Sequence, residues 1–306
     1  MTRPRSTRVI LALLAVFVFA AVALIHCAHT NAGPAAAADR DVVYGTVAGQ
    51  NLLLDVYRCP APGTHPALLL IHGGGWAAGS KRDNAGMAAG LVLAGFTCFS
   101  VEYRFAPTYK HPAQVDDCAC AARWVRAHAA EYAIDPARLG AVGGSAGGHL
   151  SLMLGVIQPG DYASPDDPNR ALPGNVECVV DLFGPADLTH GADLSKQALD
   201  ILVNFLGGSF AQVPDKYADA SPVTHVTKNS APTFMIHGAS DTLVPLSQSQ
   251  MMKAALDKAG VPNELVVIAK GEHGFGGADQ KDVAAAYKRS VEWLKQYLMP
   301  PPPDLH

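Results

Sequence analysis

The chain has 306 residues, 49% hydrophobic and 16% charged, enough apolar material for a large core and incompatible with a disordered chain. Its 23 Lys and Arg stand against 27 Asp and Glu, for a net charge of −4. No basic stripe runs along it, which excludes a nucleic-acid partner on electrostatic grounds.

Val9–Ile25 is a run of seventeen apolar residues preceded by Arg3, Arg5 and Arg8 and followed by small residues up to Ala38. That order is the pattern of an export signal, and it places the protein in the periplasm or outside the cell. The run is also at the lower limit for a membrane span, so an uncleaved N-terminal anchor is the alternative. Leu24-Ile25-His26-Cys27 resembles a bacterial lipobox, with His26 where that pattern has a small residue, which makes lipidation at Cys27 the minor reading. Membrane association is expected through this N-terminus alone. Beyond it lie Cys59, Cys98, Cys118, Cys120 and Cys178, an odd number without a C-x-x-C motif, read as buried thiols rather than a disulfide framework.

From Asp41 onward strands and helices alternate. Val42–Val47 and Leu52–Tyr57 read as an opening hairpin. Ala67–Ile71 and Phe96–Val101 read as buried strands, with a helix over Asn84–Ala94 between them, stopped by Gly95. A helix over Gln114–Ala130, a strand at Leu139–Val142, a helix at Ala146–Ile157 and a strand at Val176–Phe183 follow. The last third reads as strand Thr233–His237, helix Ser247–Ala259, strand Glu264–Ile268 and helix Val283–Leu298, before Pro300-Pro301-Pro302-Pro303. This alternation predicts one α/β domain over residues 39–299, between the export segment 1–38 and a Pro-rich tail 300–306. The sheet is expected to be mostly parallel, of about eight strands, with helices on both faces. Two irregular inserts interrupt it, Gln158–Asn175 and Asp187–Val223, the second a small cap; segments of this kind are usually functional.

Gly143-Gly144-Ser145-Ala146-Gly147 matches G-x-S-x-G between a strand and a helix, the context in which that motif exposes a serine on a strained turn. Neither glycine-rich nucleotide-binding motif can be read across it. His72-Gly73-Gly74-Gly75-Trp76 follows a buried strand, where successive glycines can turn backbone N–H groups toward a developing oxyanion. A serine nucleophile needs a base and an acid to orient that base. Asp241 follows one strand and His273 the next, both in loops at the sheet edge where Ser145 lies, and in the order Ser, Asp, His. Asp187, after the preceding strand, is the rival acid. His72, His149 and His237 sit respectively at the glycine turn, inside a helix and on a strand, so His273 is the expected base.

These segments resemble α/β-hydrolases of the group that contains acetyl esterases, hormone-sensitive-lipase relatives and bacterial feruloyl-type esterases. Ile71–Trp76 with Gly79-Ser80-Lys81, Ser100–Arg104, Gly143–Leu150, Ala220-Ser221-Pro222 and His237–Asp241 with Val244-Pro245-Leu246-Ser247 carry the resemblance over about residues 42–298. It implies a serine carboxylic-ester hydrolase with Ser145, Asp241 and His273 as its triad, Gly74, Gly75 and Ala146 as its oxyanion hole, and a small-molecule ester as its partner. No metal or organic cofactor is implied. An arylformamidase-like amide hydrolase, a serine exopeptidase and a binding module on the same fold are the alternatives. The short apolar run Ala198–Leu206 leads us to expect short acyl groups, or a compact aromatic acyl group near Trp76.

Overall fold

The computed structural model describes residues 39–189 and 194–299. The export segment, Cys27 and the Pro-rich tail lie outside them. Eight strands form one sheet: β1 (Asp39–Val47), β2 (Gln50–Tyr57), β3 (His65–Ile71), β4 (Thr97–Val101), β5 (Ile134–Gly144), β6 (Cys178–Leu182), β7 (Thr233–Gly238) and β8 (Asn263–Ile268). Their spatial order is β1-β2-β4-β3-β5-β6-β7-β8.

The sheet is mixed, which corrects the expectation of a mostly parallel one. Pairings from β4 through β8 are parallel, but β1 runs antiparallel to β2, and β2 antiparallel to β4. The connection Ala48-Gly49, whose φ angles of +48° and +81° close the tight turn of the opening hairpin, accounts for the first of these reversals. Two residues can join antiparallel strands only; a parallel pair needs a crossover.

Helices α1 (Ala85–Leu93), α2 (Ala113–Ala127), α3 (Ala146–Val156), α4 (Lys196–Leu206), α5 (Pro214–Asp219), α6 (Pro222–His225), α7 (Ser247–Ala259) and α8 (Gln280–Leu298) surround the sheet. The buried strand β3 shows how the core divides. Its side chains alternate, so Leu69 and Ile71 pack with α2, α3 and α7, while Leu68 and Leu70 pack with α1 and α8. Burial on both faces is why this strand reads as a continuous apolar run.

The first insert, 158–175, is irregular. Fully buried Arg123 of α2 ties it down by donating to Asp167 Oδ2 (2.6 Å) and to the Tyr162 carbonyl (2.7 Å). The second insert is more regular than the sequence suggests, because it carries α4, α5 and α6. Helix α4 starts at a Ser195 cap that accepts from Ala198 N–H and ends at Gly207 with φ +86°. Among the described residues no helix is long and apolar enough to cross a membrane. The thiols of Cys98, Cys118 and Cys178 are buried, those of Cys59 and Cys120 partly so, and all five are free.

Candidate active site

Strand β5 runs straight into helix α3 with only Ser145 between them, at φ +56° and ψ −122°. A side chain is strained there, and the neighbouring residues show what the turn requires. A Cβ on Gly143 would collide with the Gly147 carbonyl, and one on Gly147 with the Ile71 carbonyl. The two outer glycines of the motif are thus steric necessities of a helix leaving its strand this sharply. The Ser145 N–H donates to the Leu182 carbonyl at 2.9 Å, tying the turn to β6.

Two loops bring further groups to this turn. After β7, Asp241 is buried, and its Oδ1 accepts from the N–H groups of Leu243 and Val244 at 2.9 Å each. After β8, His273 opens a short 3-10 turn ending at Phe275. His273 Nδ1 lies 2.7 Å from Asp241 Oδ2, and its Nε2 lies 2.9 Å from Ser145 Oγ. Serine hydroxyl, imidazole and carboxylate therefore form one hydrogen-bonded row. Asp187, the rival acid, is elsewhere. Its Oδ1 accepts from Thr189 N–H at 2.9 Å and from Thr189 Oγ1 at 2.6 Å, and it walls the cavity beside Ser145.

His237 stands behind the row. Its Nε2–H donates to the Val244 carbonyl at 2.8 Å and its Nδ1 accepts from the Ser249 hydroxyl at 2.7 Å. Burial pushes its pKa down, so it is a neutral brace for the loop that carries Asp241. Phe183, at φ +48°, meets the His273 ring edge-on at 4.8 Å and Phe275 at 4.9 Å. The pattern of the sequence does not single out Phe183, because its role depends on a contact made across two strands.

The glycine turn after β3 forms the other wall. Gly74 (φ +113°), Gly75 (φ +61°) and Trp76 (φ +57°) share the left-handed region. The Gly74 carbonyl accepts from the N–H groups of Ala77 and Ala78, both at 3.1 Å, which makes Gly74 part of the turn itself. Gly75 and Ala146 face the same cavity as Ser145. Tyr103 supports the turn from below: its hydroxyl donates to the His72 carbonyl at 3.0 Å, and its ring stacks on His72 at 4.4 Å.

The cavity has a volume of about 70 Å³ and apolar walls, among them Leu188, Leu194, Ile201, Leu202 and Val244. Helix α4 roofs it. Trp76 also lines it, although its indole is almost wholly buried and one face is covered by Phe205 at 4.1 Å. Gln248 Oε1 accepts from the N–H groups of Ala186 and Asp187, 2.8 Å each, and so fixes the wall that contains Asp187. Among the described residues no group of three His, Cys, Asp or Glu side chains is placed to hold a metal ion. What the site can do is attack an electrophilic carbon with Ser145, pass the proton to His273, and face the resulting oxyanion with backbone N–H groups.

The BD-FAE family model matches residues 54–256. Among curated proteins, the probable carboxylic ester hydrolase LipM of Mycobacterium tuberculosis is 34% identical over 224 residues, which cover 69% of this chain and 50% of LipM. Among solved structures, a truncated carbohydrate esterase from gut microbiota superposes with a TM-score of 0.73 at 29% identity, covering 85% of this chain and 99% of that one. Butyrate-bound esterase Est2 of Thermogutta terrifontis gives a TM-score of 0.72 at 27% identity, covering 85% of this chain and 95% of that one. The chain spans about half the length of the curated mycobacterial esterases it matches.

Proposed function

The chain belongs to the BD-FAE family of α/β-hydrolase-fold serine esterases, and from that premise we propose that it hydrolyses carboxylic esters through an acyl-enzyme on Ser145. The observation that carries this reading is the unbroken row from Ser145 Oγ through His273 to Asp241 Oδ2. Ser145 Oγ attacks the ester carbonyl while its proton passes to His273 Nε2, and the carbonyl electron pair moves onto oxygen. Asp241 keeps the Nδ1 proton in place and stabilises the imidazolium. The N–H groups of Gly74, Gly75 and Ala146 receive the oxyanion, and of these residues Gly75 and Ala146 line the cavity beside Ser145. Collapse expels the alcohol, which takes the proton from His273. Water then repeats the sequence on the acyl-enzyme and releases the acid.

The acyl group is short, acetyl to butyryl. A cavity of about 70 Å³ is far below the roughly 300–1,000 Å³ of sites that enclose drug-sized ligands. Its apolar roof and walls suit a few methylenes and no more. A compact aromatic acyl group has less support, because Phe205 already covers one face of Trp76. Butyrate is the acid bound in the Thermogutta relative. The export reading of residues 1–38 belongs to the same proposal: an esterase acting outside the cytoplasm on a small ester.

A p-nitrophenyl ester series from acetate to decanoate tests both parts. Turnover that peaks at or below butyrate and disappears in Ser145→Ala is expected, with fluorophosphonate labelling of the wild type at Ser145. No labelling and no turnover would remove the esterase reading; a peak at octanoate or beyond would remove the short-acyl reading alone.

A further inference from the structure

Glycine adopts a positive φ without strain, but Trp76 at +57° does so against the steric preference of a side chain. Such a conformation persists where the surroundings over-determine it. Here they do. The Trp76 indole Nε1–H donates to His149 Nδ1 at 3.2 Å, its ring stacks on Phe205 at 4.1 Å with planes 7° apart, and it meets His149 edge-on at 5.0 Å. His149 is wholly buried, and its Nε2–H donates to the Ala220 carbonyl at 2.7 Å. The two bonds fix the tautomer, protonated at Nε2 and accepting at Nδ1. Burial pushes the ring's pKa down to about 3, so it stays neutral and keeps the acceptor that the indole needs.

His149 lies four residues after Ser145, one turn along α3 from the residue that begins that helix, Ala146. Trp76 directly follows Gly75. One imidazole is thereby connected to both sides of the space above Ser145: to Ala146 through the rigid helix, and to Gly75 through the indole. We infer that His149 is a positioning residue that holds the Gly75 and Ala146 N–H groups in register for the oxyanion. The inference rests on the esterase reading above, and it adds a residue that never touches substrate. Donors displaced by a fraction of an ångström still bind a planar carbonyl nearly as well, but stabilise the tetrahedral oxyanion less. Loss of the clamp therefore acts on kcat and leaves KM nearly alone.

Two substitutions divide the two bonds of His149. In His149→Asn the side-chain oxygen stands where Nδ1 was and accepts from Trp76, but the donor to Ala220 is gone. In His149→Gln the amide reaches the Nε2 position and keeps the Ala220 bond, but the acceptor for Trp76 is gone. Trp76→Phe removes the indole donor from the other side. The full-length variants are assayed with p-nitrophenyl acetate and with a methyl trifluoromethyl ketone, whose serine adduct carries the oxyanion, counting active sites by fluorophosphonate titration. His149→Gln and Trp76→Phe are expected to lower kcat about 10- to 100-fold with KM within about threefold, and to weaken the ketone in parallel. His149→Asn is expected to recover about tenfold of the Gln loss. Equal kcat in the Asn and Gln variants, or losses confined to KM, would overturn the positioning role. Should the Gln variant fail to fold, the Trp76→Phe result decides. A wild type that neither labels nor turns over would instead overturn the esterase reading, a separate and recognisable failure.

Discussion

Asp241→Asn isolates the role of the carboxylate, because the structure dictates how the new amide must sit. Asp241 Oδ1 accepts two backbone N–H groups, from Leu243 and Val244 at 2.9 Å each. In the variant the amide oxygen takes that position, since an NH₂ there would face two donors. The NH₂ is then left 2.7 Å from His273 Nδ1, where the carboxylate Oδ2 was. It can only donate, so His273 must accept at Nδ1 and carry its proton on Nε2. That proton points at Ser145 Oγ, 2.9 Å away, and the ring can no longer receive one from the serine. Size and hydrogen-bond count are almost unchanged, so the fold should hold while kcat for p-nitrophenyl acetate falls about 10⁴-fold. Asp187→Asn, which leaves this row intact, should cost less than about tenfold in the same assay. An Asp241→Asn enzyme retaining a tenth of wild-type kcat, or a larger loss from Asp187→Asn, would refute the assignment.

Ser145→Ala should abolish fluorophosphonate labelling and lower kcat by about three orders of magnitude or more, with unfolding by urea unchanged within about 1 kcal/mol. Ile201→Ala opens the roof of the cavity; admitting two more methylenes is worth about 1.6 kcal/mol, so the hexanoate-to-butyrate ratio of kcat/KM should rise about fifteenfold. No change in that ratio would show that α4 does not limit acyl length. His72, His149 and His237 all have pKa values lowered by burial from an ordinary 6.5, that of His149 to about 3. Above about pH 6.5 both folded and unfolded rings are neutral and stability is unaffected. Below it the unfolded ring takes up a proton that the folded one refuses, and each such histidine costs about 1.4 kcal/mol per pH unit down to its folded value. The urea-unfolding free energy of His149→Asn should therefore fall less steeply between pH 6 and pH 4 than that of the wild type, by about this slope; parallel curves would mean that His149 is charged in the fold.

The positions of Ser145, Asp241 and His273 are legible because local sterics write them into short segments. Gly143 and Gly147 are small where a helix leaves its strand against the Ile71 carbonyl, and that demand leaves a spelling in the chain. Asp241 and His273 each follow a strand of a parallel region, so topology alone puts them on the edge where β5 ends. His149 and Phe183 carry no such mark. Each matters through a partner distant in the chain: Trp76, 73 residues before His149, and His273, brought to Phe183 by β8. A histidine inside an apolar helix reads as core, and it is core; its use is decided by the indole that arrives opposite its Nδ1. The antiparallel pairing of β2 with β4 carries no such mark either, since it joins strands that are not consecutive in the chain.

This difference separates two layers of the molecule that can vary independently. The reacting groups hang on the ends of β3, β5, β7 and β8, where backbone packing admits few alternatives. The cavity is roofed by α4, which belongs to an insert and lines it with Ala198, Ile201 and Leu202, while Phe205 packs on Trp76. Ile201 lines the cavity beside Ser145, yet Phe205 on the same helix stacks on Trp76, beside the glycine turn. A substitution on the outer turn of α4 near Ile201 should thus change acyl preference at little cost in rate, whereas one at Phe205 should disturb the oxyanion side as well. On the proposed reading the cap would set acyl selectivity along one part of its length and support the oxyanion side along the other, with the boundary about one turn of helix wide, between residues 201 and 205.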